Sequence, residues 1–263
     1  MSRVVRLGAV SYLNVRPLVY GLDAQPHLSL RFDVPSECAR LLASGDIDLG
    51  MVPSITYVDR PGDRIVPGVC IGSDGPVASV ALFTTRPMRD VRSIALDTSS
   101  RTSAALVRIL CHQRFGIAPT FIQHPPDLAS MLAVADAALL IGDAALFIDH
   151  AAHRVDKIDL GTLWTEMTGL PFVWAFWSGR PDAVVADTVR VLQQASEDGL
   201  SHLDEIAAAY CASDPVWTET AQRYLRENLT YTLSARAIQG LERYYREAAE
   251  LGLVAAAIEP KFF

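Results

Sequence analysis

The chain has 263 residues, half of them hydrophobic and a fifth charged, which is the balance of a globular protein rather than a disordered one. Its formal net charge is -7 and no Lys/Arg-rich run appears, which excludes a nucleic-acid partner but leaves room for a small anion held by backbone amides and one or two side chains. The apolar stretch after Met1-Ser2-Arg3 is too short and too charged for a signal peptide, and no run reaches the roughly 18 residues of a membrane span, so a cytoplasmic protein without membrane contact is expected.

In chain order, residues 4–10 read as a buried strand, followed by a turn and a short helix from Asn14 toward Tyr20. Residues 28–34 read as a second strand. Beyond Pro35-Ser36, Cys38, Leu41 and Leu42 recur at helical spacing until Gly45-Asp46, and residues 47–52 form a third strand. This β-α-β-α-β order implies a parallel sheet with crossover helices. A long β segment, 65–85, follows. The rhythm then restarts with strand 93–96, helix 102–115, strand 119–123, helix 127–134, strand 137–141 and helix 143–150. Residues 172–177 read as the return crossing, and the remainder from about Asp182 reads as helical, with Ile238, Leu241, Tyr245 and Ala248 on one buried helix face. The expected fold is α/β with two similar lobes hinged by strands.

Four strand-to-helix turns carry polar side chains. In open α/β sheets, ligands sit at the carboxyl ends of strands, where helix N-termini present free N–H groups. Ser11-Tyr12-Leu13-Asn14 follows the first strand, and Asn14 offers both an amide donor and a carbonyl acceptor there. Ser11 or Asn14 can equally be a plain helix cap. Ser54 follows Val52-Pro53 at the end of the third strand, with the same two readings. Residues 97–103, Asp-Thr-Ser-Ser-Arg-Thr-Ser, crowd five hydroxyls and a guanidinium into one turn, where a cap needs a single hydroxyl. That density points to an anion cradle, in which Arg101 pairs a carboxylate in a bidentate fork or else stands in solvent. Gly142 permits close backbone approach at the end of strand 137–141, and Asp143 is placed as a cap or as an acceptor for a hydroxyl.

The four cysteines (Cys38, Cys70, Cys111 and Cys211) are far apart, so neither a zinc site nor a redox pair is expected; Cys38 and Cys111 fall on apolar helical positions, where a buried free thiol is the better reading. His150 and His153 read as surface residues. No His-x-Glu or His-x-x-x-His spacing occurs near the four turns, and no GxGxxG or GxxxxGKS loop occurs in the chain. Bound metal and nucleotide are therefore not expected.

The run Gly8-Ala9-Val10-Ser11-Tyr12-Leu13-Asn14 with Pro17-Leu18 resembles the opening motif of the menaquinone-pathway (futalosine route) chorismate dehydratases. The resemblance continues through Val52-Pro53-Ser54, residues 73–80, Ser100-Arg101-Thr102-Ser103, residues 141–146 and residues 164–173, in that order, and covers residues 4 to about 178. It implies a two-lobed, periplasmic-binding-protein-like type II fold, each lobe a mixed, mainly parallel sheet with flanking helices, and a helical C-terminal segment. The lobes are expected over residues 1–86 with 176–263, and over 87–175, with the ligand cleft between them. The implied activity is that of a lyase: conversion of chorismate to 3-[(1-carboxyvinyl)oxy]benzoate with loss of water and no cofactor. By the same resemblance Asn14 is the key active-site residue, and Ser54, Ser79, Ser100, Thr102, Gly142 and Asp143 match cleft positions. Ser11 and Arg101 join the substrate-binding set from their own turns. Two other readings stay open. One is the sister enzyme forming 1,4-dihydroxy-6-naphthoate, whose opening Cys-Pro-Asn-Asp pattern this chain lacks. The other is a non-catalytic solute-binding protein.

Overall fold

A computed structural model describes residues 4–184 and 186–263; residues 1–3, with which the first expected lobe begins, and residue 185 lie outside the described residues. The first sheet starts with β1 (Val5–Val10), β2 (Leu28–Asp33), α1 (Pro35–Ser44) and β3 (Leu49–Pro53), followed by β4 (Arg64–Ile65) and β5 (Gly68–Ser73). Pro35 pre-sets the first turn of α1, and Gly45 ends it in the left-handed region at φ 78°. Between β1 and β2 the chain forms a 3-10 helix, Leu13–Val19, that carries Asn14.

The second sheet is contiguous in sequence: β6 (Val80–Thr84), β7 (Ser93–Asp97), α2 (Thr102–Gln113), β8 (Thr120–His124), α3 (Leu128–Val134), β9 (Ala137–Ile141), α4 (Asp143–Leu146) and β10 (Asp156–Asp159). Helix α5 (Leu160–Thr168) leads back to β11 (Phe172–Gly179) in the first sheet. The C-terminal part holds α6 (Ala186–Leu200), α7 (Leu203–Tyr210), α8 (Thr218–Arg223), a single π-helical turn at Tyr224–Asn228, β12 (Thr230–Leu233) and α9 (Ala235–Glu250).

The two sheets repeat one plan. In the first, β2 and β3 flank β1 in parallel and β11 runs antiparallel beside β3. In the second, β8 and β9 flank β7 in parallel and β6 runs antiparallel beside β9. The first sheet thus takes its antiparallel strand β11 from beyond the whole second sheet, which ties the lobes together. The fully buried strands β3, β6 and β9 are apolar throughout or nearly so, as covered sheets require. A core that includes Trp164, Phe172, Phe176, Trp177 and Tyr244 spans the junction; each such side chain removed from water contributes about 1.5–3 kcal/mol.

Several expectations need correction. The β segment expected over 65–85 is broken at residues 74–79, because Asp74-Gly75-Pro76 is turn chemistry and both Gly75 (φ 117°) and Ala78 (φ 61°) leave the extended region. The chain therefore changes sheet at 74–79, and β6 belongs to the second lobe rather than to a first lobe reaching residue 86. The return comes before Phe172, so residues 172–175 are in the first sheet. Helix 143–150 shortens to α4. The C-terminal part is not wholly helical, since β12 pairs with β5 at the sheet edge.

Candidate functional site

The turns after β1, β7 and β9, together with the end of β3, converge on one cleft between the lobes. Asn14 comes from the first, Ser100, Arg101 and Thr102 from the second, Gly142 from the third and Pro53 from the end of β3. Ser79 enters from the crossing segment. The floor is apolar, with Met51, Ile71, Val77 and Trp174, and the empty volume including the mouth is about 580 Å³. Polar groups on an apolar floor are the usual composition of a small-molecule site. Helix α2 begins in the wall at Thr102, so its unpaired first-turn N–H groups and the adjacent Arg101 guanidinium make this the electropositive end. Among the described residues no carboxylate pairs with Arg101, which stands exposed at the mouth.

Six of the nine expected site residues lie in the cleft wall: Asn14, Ser79, Ser100, Arg101, Thr102 and Gly142. The other three stand behind it. The Ser54 hydroxyl does not cap its own helix; it donates to the Val173 carbonyl at 2.8 Å and lies 3.4 Å from the Thr102 hydroxyl. Ser11 contributes its carbonyl, which accepts from Arg16 and lies 3.1 Å from the Tyr210 hydroxyl. The Asp143 carboxylate accepts from the Leu13 amide at 3.2 Å and from Tyr210 at 2.5 Å. Asp143 thus holds the Asn14 turn in place across the lobe junction. Burial raises its carboxyl above the ordinary range, and those two hydrogen bonds oppose the rise.

Gly142 is required for a geometric reason. It has φ 60°, and a Cβ there would lie 2.6 Å from the Tyr12 ring. The Tyr12 hydroxyl in turn lies 3.3 Å from that of Ser99, whose hydroxyl and amide both donate to Asp97. The Thr102 hydroxyl accepts from the Ile55 amide, and the Tyr244 hydroxyl donates to the Thr102 carbonyl. These bonds cross between lobes, so the structure is a closed one.

The ionisable residues in the wall are Tyr12 and Arg101; it contains no His, Lys, Asp, Glu or Cys. Burial pushes the Tyr12 phenol above its ordinary value. Asn14 Oδ1 is buried without a hydrogen-bond partner, a costly state for a polar atom unless a ligand or a movement of the lobes supplies a donor.

Of the C-terminal tyrosines the sequence pattern singles out Tyr245 alone. Tyr210, Tyr224 and Tyr244 send hydroxyls to Asp143, Ser79 and Thr102. The available signal was chemical. A Tyr rather than a Phe on a buried helix face needs a partner for its hydroxyl, and three of them imply polar groups beneath.

A family model described as menaquinone biosynthesis matches residues 5–250. The chain belongs to the menaquinone biosynthesis family. The match runs to the end of α9, so the C-terminal part, in which the sequence showed no motif, is part of the menaquinone biosynthesis fold. Chorismate dehydratase of Thermus thermophilus is 32% identical over 268 residues, covering 94% of this chain and 95% of that protein. Among solved structures, a protein of Archaeoglobus fulgidus superposes with a TM-score of 0.80 at 17% identity, covering 95% of this chain and 98% of its own. The alkanesulfonate-binding protein SsuA of Xanthomonas axonopodis gives 0.70 at 15% identity, with 97% and 94% coverage. The fold of this menaquinone biosynthesis protein is thus the periplasmic-binding-protein-like one. Among the described residues no helix is long and apolar enough to cross a membrane.

Proposed function

We propose that this chain is a chorismate dehydratase, a carbon–oxygen lyase that forms 3-[(1-carboxyvinyl)oxy]benzoate and water on the futalosine route to menaquinone. The observation that carries the reading is the cleft itself. It offers an asparagine, several hydroxyls, a helix N-terminus and one arginine, and no side chain suited to act as a general base near neutral pH. The identity to the Thermus enzyme supports the same substrate.

Chorismate carries a ring carboxylate, an enolpyruvyl ether at C3 and a hydroxyl at C4. Arg101 and the first turn of α2 are suited to bind the ring carboxylate. The enolpyruvyl carboxylate then lies close to the C3 hydrogen and serves as the base that the cleft lacks. It takes the C3 proton, the C–H electron pair becomes the C3–C4 double bond, and the C4–O bond breaks. The departing hydroxide takes that same proton back from the enolpyruvyl carboxylic acid and leaves as water, so that the carboxylate is regenerated, the ring becomes aromatic and one water is lost. Asn14 orients the C4 hydroxyl, its Oδ1 accepting the hydroxyl hydrogen and thereby acquiring the partner it lacks. The closed cleft holds the arm in the reactive conformer, an orientation effect worth on the order of several kcal/mol.

The test is incubation of the purified protein with chorismate alone, with products read by mass and ultraviolet absorbance. A new aromatic compound one water lighter than chorismate is expected. Unchanged chorismate from a folded sample overturns the reading; chorismate bound tightly but unchanged would make the protein a solute binder.

A further inference from the structure

The π-helical turn Tyr224–Asn228 departs from helix α8 where the chain turns toward β12. Such single π turns occur frequently at functional sites. Its first residue, Tyr224, is fully buried behind the cleft wall. Its hydroxyl donates to Ser79 Oγ at 2.7 Å. Burial holds the phenol neutral by raising it well above its ordinary range.

A phenol has a single proton. With that proton given to Ser79, the Ser79 oxygen is occupied as an acceptor, and its own proton is free to be donated elsewhere. Ser79 lines the cleft, so the open direction is toward a ligand. A donor fixed toward the cleft suits an anionic oxygen. One buried hydroxyl thus sets the polarity of Ser79 in the wall, as a donor toward the cleft.

We propose that Tyr224 is a positioning residue for substrate binding, which orients Ser79 to donate to a carboxylate of the substrate. The proposal rests on the dehydratase reading for the identity of that substrate. Ser79 cannot reverse its role while the phenol proton is committed to it.

Tyr224→Phe removes the hydroxyl and keeps the buried ring. With chorismate, KM is expected to rise about tenfold, the loss expected of one hydrogen bond to a charged group, with an unchanged melting temperature. The variant is then repeated in a Ser79→Ala background. A residue acting through Ser79 adds less than about twofold there, whereas a merely structural role costs the same in both backgrounds. A neutral Tyr224→Phe, or an equal loss in both backgrounds, overturns the proposal. If Tyr224→Phe fails to fold, Ser79→Cys supplies the second test, since a thiol is a weak donor: KM should rise with kcat retained, and an unchanged KM overturns the proposal. Binding of 3-hydroxybenzoate by calorimetry is measured alongside. Should the unsubstituted protein leave chorismate untouched, the dehydratase reading fails by itself. Weaker 3-hydroxybenzoate binding by Tyr224→Phe would still uphold the role of Tyr224, and equal binding would overturn it.

Discussion

The Tyr210 hydroxyl donates to the Asp143 carboxylate across the lobe junction at 2.5 Å, and the same hydroxyl lies 3.1 Å from the Ser11 carbonyl. One side chain of α7 thereby joins the end of β9 to the turn that carries Asn14. Tyr210→Phe leaves the Leu13 amide as the remaining donor to Asp143. A hydrogen bond to a charged acceptor is worth about 1.5–3 kcal/mol, and a loss of that size is expected in urea unfolding. A free energy within experimental error of the unsubstituted protein would show that the contact is not formed in solution.

Asn14 is expected to separate activity from stability. Its Oδ1 is buried and unpartnered, so Asn14→Ala removes an unfavourable group from the folded state. The thermal midpoint should be unchanged or higher, while turnover of chorismate falls by about 100-fold, the cost of misplacing the reacting hydroxyl that Asn14 orients. Steady-state kinetics and a melting curve on one preparation check both halves. Retained turnover would remove Asn14 from the centre of the chemistry.

Gly199 reaches the site from a distance. It lies in α6 where that helix crosses the 3-10 helix of Asn14, and a Cβ there would sit 2.0 Å from the Pro17 carbonyl oxygen. Gly199→Ala must push the two helices apart, at a cost of about 1–3 kcal/mol for overpacking. The expected result is a lower melting temperature together with a reduced kcat, although Gly199 lies outside the cleft wall. A loss of stability with fully retained kcat would show that the Asn14 turn absorbs the shift.

Asp97 predicts a pH dependence of definite sign. Burial raises its carboxyl above the ordinary 3.8, against the hydrogen bonds from Ser99. The folded protein therefore keeps this proton where the unfolded chain has already lost it. The stability contributed by the group is complete below the unfolded value and is lost as pH rises through the folded one. Asp97→Asn cannot titrate, so the stability of the native protein relative to this variant should fall as pH rises from about 4 toward 7. Melting temperatures of both proteins across that range decide it. A constant difference would mean that Asp97 titrates normally.

Much of this was legible in the sequence, and unequally so. The repeated β-α-β-α-β rhythm exposed the two lobes, because buried parallel strands such as β9 leave unbroken apolar runs. The hydroxyl-rich stretch around Arg101 marked the electropositive wall, since a helix cap explains only one of its hydroxyls. Legibility failed where meaning lies in three dimensions. Ser54 and Asp143 have the residue types and the strand-end positions of ligand contacts, yet their side chains are spent on Val173, Leu13 and Tyr210. Tyr224 was invisible because its partner, Ser79, is 145 residues away and nothing in the local pattern signals their meeting. The sheet crossing was misplaced because β5 and β6 are both apolar and pattern alone does not say which sheet a strand joins.

The interleaving of strands also bears on how the protein is made. The second sheet is encoded without interruption and is complete once Asp159 has been synthesised, whereas β3 must wait about 120 residues for its neighbour β11. At ribosomal speeds that wait is on the order of ten seconds, during which a wholly apolar strand edge has no native partner. The lobe encoded in the middle therefore finishes first, and the lobe that starts the chain matures last. The cell must shield β3 in the interval, so demand for chaperones should fall on the nascent chain before Phe172 emerges rather than on the finished protein.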